Sequence, residues 1–216
     1  AGKLCMTAFK YRYAPAQIKA REILAAPEFG GVAALNLLRV SGPYTNAPGN
    51  PRTEFLLDFC IHPIDQVLFL AGEVAEVSVA SPSPENYAIQ VRFASGGVGS
   101  LCFSCRGSWK RPIDRLNVFG ASGQHVSIED QIFMRYEAGG ECKALHEPRF
   151  CTAGGDSLVE TGFLPELQAF VAHLRGERKL EEIPSRIEEA VKSMALYEAI
   201  RRSAQTGKPE RPQRFV

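Results

Sequence analysis

From Tyr87 to Tyr136 apolar and polar residues alternate with the period of a strand, and the segments on either side repeat with the period of a helix. Tyr87, Ile89, Val91 and Phe93 alternate with Ala88, Gln90 and Arg92. Leu101 and Phe103, Leu116 and Val118, Val126 and Ile128, then Ile132, Met134 and Tyr136 continue the pattern, broken at Gly96-Gly97, Gly120 to Gly123 and Gly139-Gly140. This predicts an antiparallel meander with glycine turns. Ahead of it, Leu4 to Tyr13 reads as a strand, Gln17 to Leu24 as a helix stopped by Pro27 and Gly30-Gly31, and Val32 to Val40 as a second strand. A helix is expected to open at Pro63 and end near Gly72. Behind the meander, Leu167, Phe170, Val171 and Leu174 mark a helix between Pro165 and Gly176. Ser185 and Glu188 read as a capping box for a last helix through Ile187, Val191 and Met194, closed by Gly207. The fold class that follows is α+β: one domain over residues 1–216, a large, mainly antiparallel sheet with helices on one face. The other face then needs a cover, for which a second copy of the chain is the simplest candidate.

Composition narrows the partners. Among 216 residues, 25 are basic and 24 acidic, so net charge gives no case for nucleic acid or an anionic membrane as main partner. The chain has no apolar run of membrane-spanning length and no signal-peptide pattern, from which a soluble, cytoplasmic protein is expected. Six irregularly spaced cysteines do not form a disulfide framework, and reduced thiols are expected. Cys102 and Cys105 form a C-x-x-C within a strand pattern, which sends them to opposite faces; no metal site is expected.

The chemistry-bearing motif is Asp58-Phe59-Cys60-Ile61-His62-Pro63-Ile64-Asp65. On a helix its two carboxylates and imidazole share a stripe, while Ile61, Ile64, Val67 and Leu68 pack inward. A histidine beside a carboxylate can move a proton near neutral pH. From the residues alone the plainer reading leads: Asp58 as a cap, His62 as a core histidine and Asp65 as a first-turn charge. The Gly- and Pro-rich stretch from Ser41 to Pro51 leads into this motif and is either a substrate loop or lid, or a plain surface excursion. Lys10, Arg12, Arg39, Trp109 and Lys110 are isolated near strand ends and read as surface positions; the first four are also carried as candidates for substrate contact. Gly120-Ala121-Ser122-Gly123 lies between strands, so it reads as a turn and not a dinucleotide cradle, and no Walker or G-x-S-x-G sequence occurs.

The ordered set Phe9-Lys10-Tyr11-Arg12-Tyr13-Ala14-Pro15, Asp58 to Asp65 running into Leu70-Ala71-Gly72, Val118 to Gly123 and the two closing helices resembles the C-terminal domain of the Gfo/Idh/MocA oxidoreductases, over nearly the whole chain. The resemblance implies a dihydrodipicolinate-reductase-like sheet domain. It also implies an enzyme that uses NAD or NADP to move a hydride to or from a carbinol carbon of a sugar or polyol-like small molecule. It makes His62 the general acid/base and Asp58 its orienting or relaying partner, with Asp65 structural. The family's dinucleotide-binding domain has no counterpart in these residues, so the cofactor would be held mainly elsewhere, and the chain alone is expected to bind dinucleotide weakly and turn over nothing. The competing reading is a non-catalytic regulator, or a sugar-binding or assembly module, that keeps the fold. A sheet-surface nucleic-acid reader is disfavoured by the charge balance and the lack of clustered aromatics.

Overall fold

Strand β1 (Val32–Val40) runs through the middle of an eight-stranded sheet in the computed structural model, which describes residues 4–43, 54–148 and 155–213. The other strands are β2 (Val74–Ser83), β3 (Asn86–Phe93), β4 (Val98–Ser104), β5 (Ile113–Gly120), β6 (His125–Glu129), β7 (Phe133–Ala138) and β8 (Glu141–His146), in the spatial order β2-β3-β4-β1-β5-β6-β7-β8. Every pairing is antiparallel except β1 with β4. That exception arises because the chain leaves β1, forms a helix and the β2–β3 hairpin, and re-enters beside β1 in the same direction. The α+β class expected from the sequence is therefore the architecture found.

The period-two pattern sorts the sheet into two faces. Leu35, Leu37, Ile89, Val91, Phe93, Leu101, Phe103, Leu116, Val118, Val126 and Ile128 are buried under three helices: α1 (Pro15–Ala25), α2 (Ile61–Ala71) and α5 (Ile187–Thr206). Proline opens α1 at a position where its missing N–H would be unpaired in any case. The remaining helices are α3 (Gly155–Glu160) and α4 (Phe163–Leu174). The opposite sheet face is open: Asn36 Nδ2 donates to Ser100 Oγ at 2.8 Å on its surface, and Val98 and Phe119 stay exposed.

Three local readings are corrected by tertiary context. Leu4 to Tyr13 is not a strand: only a bridge from Met6 to Arg186 forms, and Lys10–Tyr13 is a 3-10 turn. The chain there meets helices on both sides and has no free sheet edge to join. Ser185 does not cap α5; its hydroxyl meets Tyr13 Oη at 2.8 Å, and Arg186 occupies the cap position without a side-chain bond. Pro63 is the third residue of α2, still inside the first turn, where a helix N–H has no intrahelical acceptor. Strands β2 and β8 were not among those expected from the sequence.

Candidate functional site

The helix carrying His62 does not begin as an ordinary α-helix. Phe55–Phe59 is a π-helical turn closed by Cys60 N–H donating to the Phe55 carbonyl at 3.1 Å. The wider turn changes the angular step between Asp58 and the residues of α2. The stripe expected from the spacing is thereby split: Asp58 is exposed, His62 half-buried and Asp65 buried.

Asp65 faces inward. Its carboxylate accepts two parallel bonds from Arg12, Nε to Oδ2 at 2.9 Å and Nη2 to Oδ1 at 2.8 Å, and a third from Ser193 Oγ at 2.8 Å. Arg12 Nη1 also donates to the Pro184 carbonyl at 2.8 Å. The guanidinium of Arg12 thus ties the 3-10 turn to α2 and α5, a buried fork-to-carboxylate contact. Its surface reading is corrected, since Arg12 is buried.

His62, one turn before Asp65 on α2, lies among aromatic rings and cations. Its ring centroid is 5.7 Å from that of Tyr11 and 6.3 Å, edge-on, from that of Phe9. Nδ1 is buried without a hydrogen-bond partner among the described residues. Burial, then the charges of Lys10 and Arg39, lower its pKa to about 4. At neutral pH it is a neutral imidazole able to accept a proton. The charges that bear most on it are two cations from other elements.

Arg39 enters from β1. Its Nη1 donates to Tyr11 Oη at 3.1 Å and to Asp114 on β5, and its guanidinium carbon lies 4.8 Å from the centre of the Phe59 ring. Arg39 is buried, against its reading as a surface residue. Trp109 meets the same Phe59 ring edge-on at 5.7 Å, and its Nε1 donates to the Pro43 carbonyl at 3.1 Å. A Cβ on Gly42 would collide with the indole, so glycine there lets the ring lie flat on the backbone. Trp109 is 54% exposed. Lys10 Nζ stands 4.0 Å from the centre of the Phe163 ring at the start of α4 and 5.4 Å from that of Tyr11. Burial, followed by the charge of Arg39, lowers the pKa of Lys10.

Three of the four contact candidates, Lys10, Arg39 and Trp109, are therefore linked to the His62 neighbourhood through Tyr11 and Phe59. Arg12 is turned away into its ion pair. The sequence reading assigned no role to Tyr11, Asp114 or Glu166. Tyr11 and Asp114 carried a signal of sorts, a polar tip on a residue otherwise placed for burial; Glu166, far along the chain, carried none. Most of the Ser41 to Pro51 loop, a candidate lid, lies outside the described residues.

Chemically, a neutral imidazole flanked by an ammonium and a guanidinium can take the proton of a hydroxyl while the cations stabilise the developing oxyanion. Among the described residues no group of three or more His, Cys, Asp or Glu side chains could hold a metal ion. Cys102 is exposed and Cys105 buried, on opposite faces as the strand parity requires. No helix among the described residues is long and apolar enough to cross a membrane.

A model of the oxidoreductase family's C-terminal alpha/beta domain matches residues 44–210. Solved structures share the fold at low identity. Levoglucosan dehydrogenase in complex with NADH and L-sorbose superposes with a TM-score of 0.75 at 17% identity, covering 98% of this chain and 66% of that one. An oxidoreductase from Agrobacterium radiobacter in complex with NAD+, L-tartaric acid and magnesium gives 0.75 at 14%, covering 96% and 65%. A myo-inositol dehydrogenase from Corynebacterium glutamicum gives 0.69 at 18%, covering 96% and 64%. The chain thus spans just under two thirds of these relatives' length. No protein of curated function matches it in sequence.

Proposed function

Because the chain belongs to the Gfo/Idh/MocA oxidoreductase family through its C-terminal alpha/beta domain, we propose that it is the substrate-binding part of a dehydrogenase acting on a carbinol of a sugar or polyol-like molecule. The observation that carries this reading is His62: a half-buried imidazole against the rings of Tyr11 and Phe9, neutral at pH 7, on which the charges of Lys10 and Arg39 bear. Losing a hydride from an alcohol carbon requires loss of the hydroxyl proton; His62 is the group proposed to receive it, a developing alkoxide beside Lys10 and Arg39 offsetting the charges that add to burial in holding its pKa at about 4. Lys10 and Arg39 favour the alkoxide that develops. Asp58, four residues earlier and exposed, is proposed as the relaying partner, since no carboxylate among the described residues bonds the buried Nδ1, and Trp109 offers the flat apolar wall on which a sugar face can rest. NAD or NADP supplies the hydride acceptor; the chain has no glycine fingerprint between strand and helix, so the residues holding the dinucleotide are assigned to a domain outside these 216 residues. The open sheet face is proposed as the surface on which a second copy docks, giving a homo-oligomer.

The test is His62→Gln in the full-length gene product, assayed with NAD and NADP against a panel of polyols and sugars. A fall in kcat of roughly 10²-fold or more with intact assembly supports the reading. A full-length parent that binds sugars but transfers no hydride would instead favour a binding or assembly module.

A further inference from the structure

Glu166 stands in the first turn of α4 and is only 5% exposed, yet its Oε1 has no hydrogen-bond partner among the described residues. A buried carboxyl oxygen without a donor is costly, and a nearby cation is the ordinary compensation. The packing of α4 supplies one. Phe163, one turn before Glu166 on the same helix face, carries the Lys10 ammonium 4.0 Å from its ring centre. Gly162, just ahead of the helix, has φ of +85° and abuts the Lys10 carbonyl so closely that a Cβ there would collide with it. The start of α4 is thereby pressed onto the 3-10 turn, and Glu166 shares the helix face of Phe163, the ring that the Lys10 ammonium covers.

We propose that Glu166 is a positioning residue that acts through Lys10, its carboxylate keeping the lysine charged and aimed toward the Tyr11–His62 end of the cluster, where a substrate oxygen is gripped. This rests on the reading of the cluster as the substrate site. The mutual influence agrees in sign. Burial and then Arg39 lower the pKa of Lys10 while Glu166 raises it; burial lifts Glu166 to about 7 while Lys10 lowers it. Above that pH the carboxylate is ionised and opposes loss of the lysine proton. The other charged or titratable groups around the pair are Tyr11 and Tyr13 on the turn, Arg39 on β1, His62 on α2 and Arg178 beyond α4.

Glu166→Gln keeps the volume and removes the charge. In the full-length protein the alkaline limb of the kcat/KM profile should move toward neutral by about one pH unit, a roughly tenfold loss at a fixed pH on that limb, with Glu166→Asp restoring most of it. In protein whose lysines are 13C-dimethylated, with Lys10 assigned through Lys10→Arg, the Lys10 resonance should titrate at lower pH in Glu166→Gln. In a Lys10→Met background Glu166→Gln should change nothing further. An unmoved Lys10 titration, or an effect of Glu166→Gln that persists without Lys10, overturns the proposal. A shifted Lys10 titration in a protein without turnover leaves the positioning role standing and removes the dehydrogenase reading instead.

Discussion

Arg12 and Asp65, 53 residues apart, meet in a buried two-point ion pair that Ser193 closes from α5. Removing Arg12 leaves the Asp65 carboxylate buried without its cation, whereas neutralising Asp65 leaves Arg12 paired with Glu189, 3.2 Å from its Nη1. Arg12→Ala is expected to cost about 3–5 kcal/mol and Asp65→Asn less, measured as the shift in urea midpoint at constant m-value. Arg12→Met with Asp65→Leu in one variant should cost much less, since no lone charge remains.

His62 and Glu166 should make opposite contributions to acid stability. The folded pKa of His62 is lowered from 6.5 to about 4, so the unfolded chain binds the proton first and stability falls as pH drops through that window. The folded pKa of Glu166 is raised from 4.5 to about 7, so the native state binds the proton first and stability rises as pH drops from 7 toward 4.5. Relative to the parent, His62→Gln should therefore gain stability as pH falls from 6.5 to 4, and Glu166→Gln should lose it between 7 and 4.5. Thermal midpoints at half-unit pH steps decide this, and parallel curves for all three proteins would refute it.

Gly162→Ala combines a strained positive φ with a collision against the Lys10 carbonyl. An expected destabilisation of about 1–3 kcal/mol by chemical denaturation accompanies displacement of the turn that carries Lys10 and Tyr11. The Lys10 resonance should shift with it. Alanine at Gly139, where nothing lies within contact distance of an added Cβ, controls for backbone strain alone.

The open sheet face gives a fourth test. Ser100 lies centrally on it, bonded to Asn36 across the β1–β4 pair. If a second copy docks there, Ser100→Arg should convert the oligomer to monomer in sedimentation velocity while circular dichroism stays unchanged. A parent that is already monomeric at micromolar concentration would remove the proposed interface.

Strand parity within β3 to β7, the glycine stops, the helix over Gln17 to Leu24 and those from Pro63 to Gly72 and beyond Pro165 were legible because each depends on neighbours a few residues away. The same locality exposed Asp58, His62 and Asp65 as a motif. It could not show that a π-helical turn splits their stripe, that Arg12 turns inward, or that Leu4 to Tyr13 abandons strand geometry. The inward turn of Arg12 is set by Asp65 and Pro184, which reach it only after α2 and the chain entering α5 have packed. The environment of His62 is likewise tertiary: Lys10, Arg39, Tyr11 and Glu166 come from three separate elements, and their effect depends on burial and distance, quantities the order of residues does not contain. The sequence by itself determined the α+β class and marked the imidazole; the packed structure decided how deeply this imidazole is buried, which cations bear on it and which carboxylate oxygen is buried without a donor among the described residues, because each depends on contacts between distant segments.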